Sequence, residues 1–337
     1  MSARPPALRA LLGVPAPAKL NWFLHVLGRR DDGLHALQSV FQFIDWCDEI
    51  DFELRDHPAV SREGADGLPD DDLCLRAARA LQQHANCRFG VHMRVRKRIP
   101  VQAGLGGGSS DAASVLLALN RLWGLGLRRA QLQELGARLG ADVPVFVFGE
   151  AAFAEGAGER LRALHLPQWR AVVAWPGAGL STAQVFAHDS LTRNTPARTM
   201  EGFCGYLKRE LAQDAAAFGA RQADAGEANA GQANAGQANA GQANAGQAAQ
   251  RMRRVLAFGA NDLQPVAARL LPQLGALERW LEACCGPGAA RMSGSGSAMF
   301  APWPHADDDV LPNAPSQWAV RVCRTLRRHP LAHWVAD

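Results

Sequence analysis

Short apolar runs broken by glycine and charge alternate along the chain with longer stretches of helical spacing. Residues 1 to about 14 read as a loose arm, and 19–28 (KLNWFLHVLG) as a strand that ends at Gly28. Arg29 to Gly33 is a charged turn closed by glycine. Aromatic and aliphatic residues predict two more strands, over 35–45 and 48–54. The Asp-, Gly- and Pro-rich stretch 56–70 predicts a loop. Leu73, Ala77, Ala80 and Leu81 set a helical stripe within 71–87. From 91 to 99 the pattern switches to strict alternation, with Val91, Met93, Val95 and Ile99 on one face and His92, Arg94, Arg96 and Arg98 on the other. That is a half-buried strand with a solvated basic face; no aromatics are interleaved to stack nucleic-acid bases.

After Gly104 to Asp111 a helix runs to about Trp123, and a second helix fits 128–139. Residues 145–161 are short apolar pieces between glycines, and 170–175 (RAVVAW) is a buried strand. Helices are expected over 201–222, 251–258, 262–271 and 273–284. The segment 291–301 is a glycine-serine turn beside an apolar strand, and 317–325 is a strand or a helix start. Residues 226–245 repeat a five-residue unit, GEANA once and GQANA three times. The unit has no large apolar residue and a glycine in every copy, so a flexible insertion over about 224–250 is expected. Strands mixed with helices without regular βα repetition indicate an α+β fold. Its domains divide near 160–168, into 1–165 and 166–337.

Length and charge narrow the classes. A chain of 337 residues suits two domains, and a net charge of +4 is mild for a nucleic-acid binder but compatible with phosphorylated substrates. Seven cysteines without a CxxC pair, and no secretory leader, point to a reducing compartment and so to the cytoplasm. No run reaches the length of a membrane span.

The densest chemical signal is PVQAGLGGGSSDAASVLLALNRLW from Pro100. Gly104, Gly106, Gly107 and Gly108 let the chain turn tightly and let an anion approach backbone amides. Ser109, Ser110 and Asp111 follow, offering hydroxyls and a cap where the helix starts. Amides at a helix start, with the aligned peptide dipoles, cradle phosphates. The P-loop lysine is missing, and Ser109 stands where a dinucleotide fold would need glycine. A purely structural glycine turn is the competing reading.

This loop resembles the central motif of the GHMP kinases. PAPAKLNWFLHVLGRRDDGLHALQSVF near the N-terminus and MSGSGSAMF near the C-terminus resemble the first and third motifs of that superfamily, in the expected order. The wording of PAKLN, GRRDDGLH, GLGGGSSDAA, GADVP, NTP and NDL is most similar to the branch that phosphorylates a cytidine-diphosphate-linked methylerythritol. The resemblance covers nearly the whole chain apart from the arm and the repeat. It implies a two-domain α+β fold, ribosomal protein S5 domain 2-like and then ferredoxin-like, with ATP and substrate in the cleft between them. The implied reaction is ATP- and Mg²⁺-dependent phosphorylation of the 2-hydroxyl of 4-diphosphocytidyl-2-C-methyl-D-erythritol, in the non-mevalonate route to isoprenoids. Implied partners are that small molecule alone, with no nucleic acid or membrane, on a monomer or weak homodimer.

The same resemblance assigns roles. Asp142 in GADVP is the implied base, for which a helix cap is the bland alternative; Pro144 is expected to hold Val143 extended. Lys19 is implied beside that aspartate and Asn21 near the substrate hydroxyls; a lysine at a strand start is otherwise solvent-facing. Ser109 or Ser110 is the expected contact to Mg²⁺, which should arrive with the nucleotide. Ser293, Gly294, Ser295, Gly296 and Ser297 form the third-motif loop, supporting the cleft or simply turning tightly. Phe186 is implied to stack on cytosine and His35 to hydrogen-bond it. Leu34 stands where the family commonly has a tyrosine, which leaves the base half stacked.

Overall fold

The computed structural model describes residues 8–64, 68–224, 233–306, 311 and 313–337. Strand β1 (Ala10–Arg29) pairs antiparallel along β2 (His35–Arg55). Then come β3 (Val60–Gly64), α1 (Leu73–His84), β4 (Gly90–Arg96) and α2 (Gly107–Leu122). Helices α3 (Arg129–Ala137) and α4 (Val143–Phe148) precede β5 (Ala152–Gly156), β6 (Arg160–Ala163) and β7 (Arg170–Trp175). The remainder is α5 (Thr182–Ala187), α6 (Met200–Asp224), α7 (Ala233–Leu256), α8 (Gln264–Leu270), α9 (Gln273–Cys285), β8 (Arg291–Met292), β9 (Met299–Pro302) and β10 (Ala319–Arg324).

Two sheets result, one ordered β3-β4-β2-β5-β6 with β1 also on β2, the other β10-β7-β9-β8. Helices α1 and α2 pack on the first sheet through Ala77, Leu81, Leu116 and Leu119 against Phe52, Val91 and Met93. A second core gathers Leu20, Trp22, Phe153, Trp169 and Phe203 between the sheets, so β1 is buried on both faces in its middle. Pro15 and Pro17 fit in β1 because it pairs with only one strand. Its free edge instead meets two loops: Lys19 N–H donates to Leu105 O (3.0 Å) and Leu24 N–H to Ala260 O (2.9 Å).

Several expectations are corrected here. Residues 10–14 of the expected arm belong to β1, closed against β2 by Val14 opposite Ile50; residues 1–7 lie outside the described ones. The two strands of 35–45 and 48–54 are one, because β2 pairs with β5 through its first half and β4 through its second. The 56–70 loop contains β3, whose Arg62 and Glu63 are polar but gain backbone pairing from β4. The basic face of β4 is neutralised by carboxylates: Arg94 pairs with Glu63, and Arg96 with Glu49 and Asp51 (2.7 Å). Within the repeat, α7 runs from Ala233, as alanine's helix propensity favours, and 225–232 lie outside the described residues. Among the described residues no helix is long and apolar enough to cross a membrane.

Candidate active site

A cleft of about 770 Å³ opens where β1, the start of α2, the start of α4 and the β8–β9 loop meet. Register shifts on either side of Lys19–Asn21 break the regular pairing of β1 at this point. Such irregularities re-aim side chains. Lys19, 2% exposed, turns into the cleft and donates to Asn21 Oδ1 (2.5 Å) and Gly104 O (2.9 Å). Burial pulls its pKa below the usual lysine value, and the nearby Asp142 charge offsets part of that fall. Asn21 Nδ2 donates to Ser39 Oγ (2.7 Å), whose hydroxyl donates to Phe23 O (2.7 Å), so the amide orientation is set from both sides.

Asp142 occupies the N-cap position of α4 but its side chain makes no capping bond. Its carboxylate lies 3.6 Å from Lys19 Nζ, an ion pair rather than a hydrogen bond, and remains 38% exposed to the cleft. Pro144 does not hold Val143 extended: Val143 begins α4, and proline in a first turn has no amide to waste there.

The glycine loop presents its two kinds of backbone group to opposite sides. Its carbonyls face protein: Ala103 O accepts from Ala298 N (2.9 Å), Leu105 O from Lys19 N, and Gly104 O from Lys19 Nζ and Ser293 Oγ (3.1 Å). The first helical bond of α2 is Ser110 N to Gly106 O (2.8 Å). Among the described residues the amides of Gly107, Gly108 and Ser109 meet no acceptor, and all three residues line the cleft. Free amides at a helix start suit an anion. Gly106 takes φ +75°, and a Cβ there would stand 2.8 Å from the Phe146 ring. Ser109 faces the cleft, whereas Ser110 is fully buried with its hydroxyl unpartnered, so of the two candidate serines only Ser109 is open to the cleft.

Asp111 is not the expected cap. It points from the first turns of α2 into a buried cluster in which Lys97 Nζ bridges Asp48 and Asp111 (2.6 Å). Asp48 also accepts from the amides of Arg98 (2.5 Å) and Ile99 (2.8 Å), tying the strand end to the loop. Burial pushes the Asp111 carboxyl up to about 7, with Lys97 opposing and Asp48 reinforcing the shift. Sequence reading missed this trio because its members lie far apart in the chain.

The β8–β9 loop closes the other wall. Ser293 sits between β1 and the glycine loop, and a Cβ on Gly294 would stand 2.9 Å from Lys19 Nζ. Gly294, Ser295 and Gly296 line the cleft; Ser293 and Ser297 are buried behind it. Thr182 Oγ1 and Ser295 Oγ share a hydrogen bond (2.7 Å) across the wall. Phe186 lines the far end, and the His35 ring lies on it at 4.9 Å and 31°. His35 reaches the cleft only through Phe186, and Leu34 is 54% exposed away from the cavity lining. The NDL and NTP segments act behind this end, with Asp262 accepting from Thr195 Oγ1 (2.6 Å) and Val26 N (2.8 Å).

Known proteins resemble the chain over nearly its whole length. Residues 72–150 match the GHMP kinases N terminal domain and 242–318 the GHMP kinases C terminal. The chain is 47% identical to 4-diphosphocytidyl-2-C-methyl-D-erythritol kinase of Paracidovorax citrulli, over 98% of this chain and 99% of that protein. It is 46% identical to the kinase of the same name from Acidovorax ebreus, over 97% and 99%. A crystal structure of 4-(cytidine 5'-diphospho)-2C-methyl-D-erythritol kinase superposes with a TM-score of 0.62 at 30% identity, covering 92% of this chain and 98% of that one. Homoserine kinase from Cytophaga hutchinsonii, at 16% identity and a TM-score of 0.57, shares the fold.

Proposed function

The chain belongs to the 4-diphosphocytidyl-2-C-methyl-D-erythritol kinase family of the GHMP kinases and is an ATP-dependent small-molecule kinase; from that premise we propose that it phosphorylates the 2-hydroxyl of 4-diphosphocytidyl-2-C-methyl-D-erythritol by direct in-line transfer. The observation that carries this reading is the Asp142 carboxylate, uncommitted to its helix and paired with buried Lys19 beside three free amides.

In this mechanism Gly107, Gly108 and Ser109 hold the β- and γ-phosphates through their amides. Asp142 accepts the proton of the 2-hydroxyl as the oxygen attacks the γ-phosphorus. The new O–P bond forms as the bond to the β,γ-bridging oxygen breaks, and ADP leaves with that electron pair. Lys19 offsets charge gathering on the phosphoryl oxygens, and Asn21 orients the acceptor hydroxyl. Phe186 stacks on the cytosine, with the His35 ring packed against it from behind; Leu34 adds no π face.

Magnesium fits as a companion of the nucleotide. No group of three or more His, Cys, Asp or Glu among the described residues could hold a metal by itself, and Ser109 offers a hydroxyl beside the amides. When bound, the ion supplies neutralisation of phosphate charge. The two lobes are read as 1–165 and 166–337, and the strand order β10-β7-β9-β8 supports a ferredoxin-like second lobe. ADP release, followed with the cytidine substrate beside homoserine and mevalonate, tests the proposal. Turnover only with the cytidine substrate is expected; preference for either of the others would overturn it.

A further inference from the structure

We infer that Ser39 is a positioning residue for the phosphoryl transfer: it fixes the direction of the Asn21 amide, and through that amide the place of the Lys19 ammonium beside Asp142. The inference rests on the proposed mechanism, in which Lys19 and Asp142 meet the reacting groups.

Ser39 stands in the middle of β2, opposite Leu24 of β1 on one side and Ala154 of β5 on the other. A strand paired along both edges carries its side chains on rigid backbone. Between Asn21, opposite Phe41, and Leu24, opposite Ser39, β1 takes three steps while β2 takes two. The Ser39 hydroxyl spans that irregularity: it donates to Phe23 O (2.7 Å) and accepts from Asn21 Nδ2 (2.7 Å). Ser39, Asn21 and Lys19 are all buried at the wall of the cleft.

Each link of this chain has one allowed direction. A carbonyl carries no hydrogen, so the single hydroxyl hydrogen of Ser39 goes to Phe23 O. Ser39 then has only lone pairs left, and the end of Asn21 that faces it must be the NH2. The other end of the amide is therefore oxygen, and it accepts from Lys19 Nζ (2.5 Å). An ammonium has three donors and no acceptor. Around Lys19 Nζ those donors meet Asn21 Oδ1, Gly104 O (2.9 Å) and the Asp142 carboxylate at 3.6 Å. An Asn21 amide turned over would set its NH2 against the ammonium, and Lys19 would have to give up one of its three partners. The direction of one β1 carbonyl thus reaches the reacting groups through Ser39 and Asn21, and Ser39 takes no proton itself.

Steady-state kinetics with ATP and the cytidine substrate test this. Ser39→Ala should lower kcat by about tenfold or more, because a misplaced group at the reacting centre costs rate, and should leave KM for ATP unchanged. Ser39→Thr keeps the hydroxyl and should recover most of kcat. Ser39→Cys, close in shape but weak in hydrogen bonding, should not, and it carries the test should Ser39→Ala melt below the assay temperature. A double-mutant cycle isolates the route. If Ser39 acts through the amide, adding Ser39→Ala to Asn21→Ala should change kcat by less than about twofold. Losses that multiply independently, a raised KM for the cytidine substrate at unchanged kcat, or a Thr variant as slow as the Ala variant would each overturn the inference while leaving the proposed reaction standing. Asp142→Asn measured beside these variants separates the two failures: near wild-type turnover there would remove the mechanism, and the inference with it.

Discussion

Asp142 stands 3.6 Å from Lys19 Nζ at the head of a helix that it does not cap. A carboxylate at that position usually turns back to satisfy the first helical amides. Here it faces the cleft, toward a buried cation that Asn21 and Gly104 already hold in place. The pair joins β1 to α4, elements from separate parts of the first lobe, at the point where the unpartnered amides of Gly107, Gly108 and Ser109 open.

Asp142→Asn keeps the shape but cannot take a proton. Because no capping bond is lost, its stability should stay within about 1 kcal/mol of wild type by thermal melting. Its kcat should fall by roughly 10²–10⁴-fold in single-turnover assays, with ATP affinity retained. Near wild-type turnover would take Asp142 out of the base role.

The two serines of the loop should separate. Ser110 Oγ is buried without a partner, so Ser110→Ala should leave ATP KM unchanged and stability unchanged or slightly higher. Ser109→Ala removes the hydroxyl that faces the cleft and should raise the apparent KM for Mg–ATP several-fold. The reverse ranking in steady-state kinetics would reassign the metal contact.

Gly104 touches the other lobe through its backbone. A Cβ there would stand 2.2 Å from Ser293 O, and φ is +74°. Gly104→Ala should therefore cost about 2 kcal/mol or more in denaturant unfolding, with ATP binding weakened in the folded fraction. A variant as stable as wild type would show that the loop and the β8–β9 wall are not locked together.

The Asp48–Lys97–Asp111 cluster gives a pH dependence with a definite sign. Asp111 titrates near 7 when folded, above its unfolded value of 3.8, so the folded state binds more protons between those limits. Its contribution to stability is therefore fully present below about pH 4 and is lost as pH rises through 7. Asp111→Asn removes this loss. Melting of the two proteins from pH 4 to 8 should show the variant gaining on wild type until about pH 7, then a constant difference. Parallel curves would mean that Asp111 is ionised throughout.

How much of this was legible in the sequence depends on the range of the interaction. The glycine loop and its helix are local, and Gly104, Gly106 and Ser109 signalled their backbone chemistry directly. The β4 alternation and the strand 170–175 were likewise visible, because burial of one or both faces leaves a short-range pattern. What failed was set by pairing at a distance. The polar strand β3 exists because β4 lies beside it, and β2 continues through 46–47 because three strands pair along it. Val143 turns helical although proline follows, since a first turn tolerates proline and the preceding-residue rule is only a bias. Lys97 meets Asp48 across 49 positions, and Arg193 meets His35 across 158, distances over which no pattern in one sequence speaks.

The central claim is that the unpartnered amides of Gly107, Gly108 and Ser109 grip the polyphosphate of the nucleotide. A crystal structure of the enzyme with a non-hydrolysable ATP analogue and magnesium measures this directly. The account predicts β- and γ-phosphate oxygens within hydrogen-bond distance of those three amides, with the γ-phosphorus facing Asp142 and Lys19. A triphosphate bound elsewhere in the cleft, with these amides still empty or turned to protein acceptors, would contradict it.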